Sequence, residues 1–115
     1  MDYLKHLPED PQTLAGLIDI RPGRVLSKSL SRVPCCQMML MSVSQGEEVL
    51  SEQYPGDTLY YVLEGTMPLH RDGRTASLVP GQIVAVPRGA AHAIGGASDF
   101  KVLQLILTDP SGKGE

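Results

Sequence analysis

The sequence predicts an all-β domain of antiparallel strands arranged as a sandwich or barrel. Short apolar runs recur roughly every ten residues, each ended by Gly, Pro or Asp, as strands joined by tight turns require. Helical periodicity is almost absent. Between two of the runs lies Asp72-Gly73, a pair that supplies the positive φ values of a two-residue hairpin. At 115 residues the chain has room for one core and one domain. With one Phe and four Tyr available, aliphatic residues and Met must fill that core.

Residues 1–23 read as a partly irregular arm packed on the barrel, and residues 24–108 as the barrel itself. Strands are expected near Val25–Ser31 and Cys35–Val43, then Val49–Tyr54. Pro55-Gly56-Asp57 ends the third, because proline has no ladder donor and glycine accepts turn conformations closed to other residues. In the fourth strand, Thr58–Glu64, the residues Thr58, Tyr60 and Val62 share one face, and Leu59, Tyr61 and Leu63 share the other. Apolar residues on both faces mean that both are covered, since a lone open sheet would expose a large apolar patch. Met67–Arg71 and Thr75–Val79 flank the Asp72-Gly73 turn, and Pro80-Gly81 closes the second of them. Ile83–Val86, His92–Ile94 and Phe100–Thr108 complete the set. Residues 109–115, DPSGKGE, hold nothing apolar to anchor them and read as a flexible tail.

Ten basic and 13 acidic residues give a formal charge of -3, and no run of Lys or Arg interleaves with aromatics, so nucleic acid is not an expected partner. Leu103–Leu107 and Met38–Met41, the longest apolar stretches, are far shorter than a membrane span, and MDYLKHLPED is not a basic-then-apolar leader. A soluble cytoplasmic protein with no membrane partner is the expectation. Cys35 and Cys36 are adjacent, a spacing that would force a strained ring, so both read as reduced thiols. The cluster CCQMMLM invites a copper reading, but alternation splits it: Cys35, Met39 and Met41 face one way and Cys36 and Met38 the other, as core fillers do. The sequence holds no dinucleotide or phosphate loop, no C-x-x-C and no serine-nucleophile motif, which argues against nucleotide-dependent or acyl-transfer chemistry.

Two stretches carry a family pattern. Gly46–Gly65, GEEVLSEQYPGDTLYYVLEG, matches the spacing G-x5-H-x-H-x3-E-x6-G without insertion or deletion. Gly81–Gly96, GQIVAVPRGAAHAIGG, matches G-x5-P-x-G-x2-H-x3-N at Gly81, Pro87, Gly89 and His92, with Gly96 in place of the asparagine. These motifs resemble the two signatures of the cupin family. The resemblance implies a double-stranded β-helix, a jelly-roll barrel of about eight to ten antiparallel strands, and small relatives that form homodimers. The second apolar face of Thr58–Glu64 would then meet another protomer.

Glu52, Tyr54 and Thr58 stand where the family pattern has His, His and Glu. Glu52 and Tyr54, two apart on a strand, point to one side, as ligands of one ion must. A carboxylate suits Zn, Mn or Fe, an unperturbed phenol does so poorly, and a threonine hardly binds at all. Glu52, Tyr54, Thr58 and His92 thus offer at most two strong ligands where catalytic zinc sites usually hold three. Any metal, which the resemblance allows as a divalent Mn, Fe, Ni or Zn, would rest on Glu52, His92 and Tyr54. No cofactor is the expectation. Asp57 reads as a turn residue, Glu47 and Glu48 as an exposed edge, and His6 and His70 as remote from the site.

The favoured function is a binding module whose barrel holds a small organic ligand, anionic or hydroxylated, with Glu52, Tyr54, Thr58, Tyr60 and His92 lining the pocket. Two alternatives stand beside it. One is a metal-dependent enzyme of dioxygenase or isomerase type, and the other a metal-free acid–base isomerase or epimerase using His92 with Tyr54 or Glu52.

Overall fold

The structure, a computed structural model, describes residues 2–109, the side chains of Ser51 and Glu52 excepted. The expected flexible tail lies, apart from Asp109, outside the described residues. In chain order the strands are β1 (Val25–Val33), β2 (Cys36–Val43), β3 (Glu48–Glu52), β4 (Asp57–Gly65), β5 (Met67–Arg71), β6 (Arg74–Leu78), β7 (Ile83–Val86), β8 (His92–Gly95) and β9 (Phe100–Leu107). They pair antiparallel into a five-stranded sheet, β1-β2-β9-β4-β7, and a four-stranded sheet, β3-β8-β5-β6. The chain is all-β, a jelly-roll barrel.

Sequence boundaries and observed boundaries differ where a turn takes residues from a strand. Val33 pairs with Cys36, so Pro34-Cys35 is the β1–β2 turn and Cys35 leaves the strand it was expected to begin. Met39 and Met41 face the barrel interior, and Met38 the outside, as alternation requires. β3 ends at Glu52, and the carbonyl of Tyr54 accepts from the amide of Gly89 in the loop before β8.

Register sorts the interior into layers. Across the larger sheet, Tyr60 lies opposite Gln104 and Val84, and Gln104 lies opposite Met39. One step deeper, Val62, Val102 and Met41 form the next row. These join Val43, Met67, Leu69, Ile94 and Phe100 in a fully apolar half of the barrel. Among the described residues, Thr58, Tyr60, His92 and Gln104 are buried at the Tyr60 row or beyond it, so one end of the barrel is filled and the other is equipped.

The first-motif spacing holds because Gly65 is required where it stands. Its φ is 73°, and a Cβ there would collide with the carbonyl oxygen of Asp99 as β4 meets β9. Outside the barrel, a 3-10 turn at Leu14–Leu17 and its flanks bring Leu7, Leu14, Leu17 and Ile18 against Leu30, Leu40, Leu63 and Leu103. Lys101 Nζ donates to the Ala15 carbonyl at 2.8 Å and Lys28 Nζ to that of Leu17 at 2.6 Å, pinning the turn. The arm therefore covers Leu63 on the outer face of β4, part of the surface that sequence reasoning reserved for a second protomer. Tyr61 on β4 and its cross-strand partner Ile83 on β7 stay exposed.

Candidate functional site

The barrel brings Tyr60 and His92 together from opposite sheets. β4 carries Tyr60 in the larger sheet, β8 carries His92 in the smaller, and Tyr60 Oη lies 2.7 Å from His92 Nε2. Both side chains are buried, Tyr60 completely. Their rings meet edge to face, with centroids 5.6 Å apart. Tyr54, in the loop after β3, tilts its ring against the imidazole at 5.8 Å. Thr58 shares the inward face of β4 with Tyr60 and is buried, with a long 3.5 Å hydrogen bond from its hydroxyl to the Gly56 carbonyl.

The second-motif loop sets the imidazole. Asp57 Oδ1 accepts from the amide of Arg88 at 2.9 Å, and the Tyr54 carbonyl accepts from that of Gly89 at 3.0 Å, so the two motif turns are stitched together at β8's entry. His92 Nδ1 then lies 3.1 Å from the Ala90 carbonyl. A carbonyl only accepts, so Nδ1 carries a proton; in the neutral ring Nε2 is left to accept the Tyr60 hydroxyl proton. On the other side of the phenol, Gln104 Nε2 donates to Tyr60 Oη at 3.2 Å.

Gln104 is the site residue that sequence reasoning missed. It is buried on β9 within the run LQLIL, which reads as continuous apolar strand. The available signal was alternation: Phe100, Val102, Gln104 and Ile106 form one face, and a polar residue in that inward set needs an inward partner.

Of the expected pocket residues, Tyr54, Tyr60 and His92 converge, and Thr58 lies on the same face of β4 as Tyr60. The backbone of Glu52 pairs with His92 between β3 and β8. The expected inward turn of the Glu52 carboxylate lies outside the described residues. His70, left out of the site from the sequence, bridges Thr75 Oγ1 at 2.8 Å and the Gly95 carbonyl at 2.9 Å. His6 meets the Ser29 carbonyl in the arm.

The described donors do not fit a divalent metal. Both ring nitrogens of His92 are engaged by protein groups, and Nε2, the nitrogen facing the interior, is engaged by a phenol. Among the described residues no three His, Cys, Asp or Glu side chains are grouped to hold an ion. No helix among them is long and apolar enough to cross a membrane.

Comparison with known proteins agrees with this architecture. The family model described as "Cupin domain" matches residues 39–107. A curated relative, the 5-nitrosalicylic acid 1,2-dioxygenase of a Bradyrhizobium species, is 31% identical over 111 residues, covering 92% of this chain. The chain spans about half of that relative, 54% of its length. A crystal structure of a cupin superfamily protein from Desulfitobacterium hafniense superimposes with a TM-score of 0.88 at 43% identity, over 92% of this chain and 98% of that one. A Streptococcus pyogenes protein of unknown function, 23% identical, shares the fold with a TM-score of 0.89 over 95% of this chain and 96% of its own.

Proposed function

The chain belongs to the cupin family, and from that premise we propose that it binds a small hydroxylated or anionic organic molecule at the polar end of its barrel without a metal. The single observation that carries the reading is the 2.7 Å contact between Tyr60 Oη and His92 Nε2. Where the family pattern supplies a histidine for an ion, this chain gives that histidine a phenol. A buried, oriented phenol–imidazole pair above an apolar floor is a means of recognising a polar ligand. Tyr54 and Thr58 extend the polar lining, and Glu52, whose backbone pairs with His92, is assigned to the same site. The active unit is a homodimer in the cytoplasm, formed through the exposed outer face at Tyr61 and Ile83.

The ligand class draws on the relative named for 5-nitrosalicylic acid, a hydroxylated aromatic acid. Calorimetric titration of chelator-treated protein with salicylate tests it. Saturable binding is expected, weakened about tenfold by Tyr60→Phe, the worth of roughly one hydrogen bond. Binding that appears only when Fe, Mn, Ni or Zn is restored would overturn the metal-free reading.

The same relative favours a second reading, a metal-dependent enzyme of dioxygenase type. It requires His92 to exchange Tyr60 for a metal, with Glu52 as a further ligand. Elemental analysis of freshly purified protein separates the two: stoichiometric metal, lost in both His92→Ala and Glu52→Ala, selects the enzyme.

A further inference from the structure

We propose that Gln104 is the positioning residue of the Tyr60–His92 pair: its amide N–H holds the phenol oxygen as an acceptor and directs the phenol's single proton to His92 Nε2. The wider meaning of the pair rests on the ligand-site reading above, but the direction of its hydrogen bonds does not.

Gln104 is 3% exposed on the inner face of β9, between Val102 and Ile106. An amide buried among such neighbours is costly unless it is bonded. Register leaves it few choices. It lies opposite Met39 on β2, whose thioether is a weak acceptor, and opposite Tyr60 on β4, whose hydroxyl it reaches at 3.2 Å. The far end of the relay is fixed independently by backbone, because the Ala90 carbonyl can only accept from Nδ1. In the neutral ring Nε2 must therefore accept and Tyr60 must donate to it, so the phenol oxygen is left as an acceptor, which the Gln104 N–H meets.

Hydrogen bonds thus run in one direction, from Gln104 to Tyr60 to His92 to Ala90. Each bond polarises the next, so an N–H at the phenol oxygen makes that hydroxyl a better donor to the imidazole. Reversal needs two changes together: a flip of the Gln104 amide that presents its carbonyl oxygen to the phenol, and a proton on each nitrogen of His92. A glutamine supplies the donor and, being uncharged, does not draw the phenol proton away. This explains why the polar residue here is neither a carboxylate nor a hydrocarbon.

Ring-nitrogen NMR of ¹⁵N-histidine-labelled protein at neutral pH reads the direction of the relay. Wild type is expected to show His92 with Nδ1 protonated and Nε2 unprotonated. In Gln104→Glu the introduced carboxylate accepts the hydrogen bond of the phenol hydroxyl, the imidazole takes a proton from solvent and donates to the phenol oxygen, and Nε2 should move into the protonated range. In Gln104→Met, which removes the donor at similar volume, Nε2 should shift part of the way toward the signal of a nitrogen with no hydrogen bond. Salicylate affinity should fall about tenfold in that variant. A glutamine that merely fills space would lower stability yet leave the wild-type ring signals in both variants, and that result overturns the proposal. So does a wild-type ring with its proton on Nε2, an outcome that needs no variant to fold. If the ring signals respond as stated but no form binds salicylate, the positioning role stands and the ligand assignment falls.

Discussion

Inside the barrel Tyr60 Oη meets Gln104 Nε2 at 3.2 Å and His92 Nε2 at 2.7 Å, and truncating it strands both. Tyr60→Phe should therefore cost about 1–3 kcal/mol in urea unfolding, the range for leaving a buried polar group without its partner. Adding Gln104→Leu removes one of the stranded groups, so the double variant should cost less than the sum of the singles; strict additivity would mean that the two side chains do not share a network. Tyr60 and His92 were legible in the sequence, one as an inward residue of its strand and the other as a kept motif position. Gln104 was not, because LQLIL reads as an unbroken apolar strand until one asks which of its residues face in. The direction of the hydrogen bonds was beyond any sequence reading. It depends on the carbonyl of Ala90: Pro87 and Gly89 mark the turn that precedes it, but not where that carbonyl is aimed.

The two motifs become one structure through two hydrogen bonds between elements, one accepted by a side chain and one by backbone. Asp57 at the start of β4 takes the Arg88 amide, and the Tyr54 carbonyl takes that of Gly89. Turn chemistry in the sequence located Asp57, but the amide that it serves is 31 residues away and becomes visible only when β4 and β7 are paired. Asp57→Ala should cost about 1 kcal/mol and increase amide exchange at Arg88. Because that loop holds His92, the same change should weaken salicylate binding more than it lowers stability; equal effects would reduce Asp57 to a simple cap. At the other end of β4, Gly65→Ala combines a left-handed backbone, worth about 1–2 kcal/mol, with a clash against Asp99. It should therefore destabilise the domain more than Asp57→Ala does, as chemical denaturation can measure. The glycine spacing was readable because it is a backbone requirement. The strand ends were not, since β3 stops where a loop from the second motif competes for the Tyr54 carbonyl.

Across the whole molecule, apolar residues occur on both faces of β4, and the fold disposes of them in three ways. The inward set fills the barrel, the arm covers Leu63, and Tyr61 remains in contact with water beside Ile83, which is 62% exposed. That the second face needs cover was evident from the sequence. That this chain's own arm supplies part of it was not, because Leu7, Leu14, Leu17 and Ile18 lie in a segment with no strand or long-helix period to announce its docking. The uncovered remainder is the face that the proposed homodimer would use. Tyr61 and Ile83 lie directly opposite each other on adjacent strands, so a charge at either would be buried by a partner at a cost of several kcal/mol. In a monomer the same charge would rest in water at almost no cost. Ile83→Glu is accordingly expected to turn a dimer into a folded monomer with an intact barrel, observed as a halved mass in light scattering at unchanged β-sheet circular dichroism. A wild type already monomeric at micromolar concentration, or a variant that remains dimeric, would remove this face as the interface.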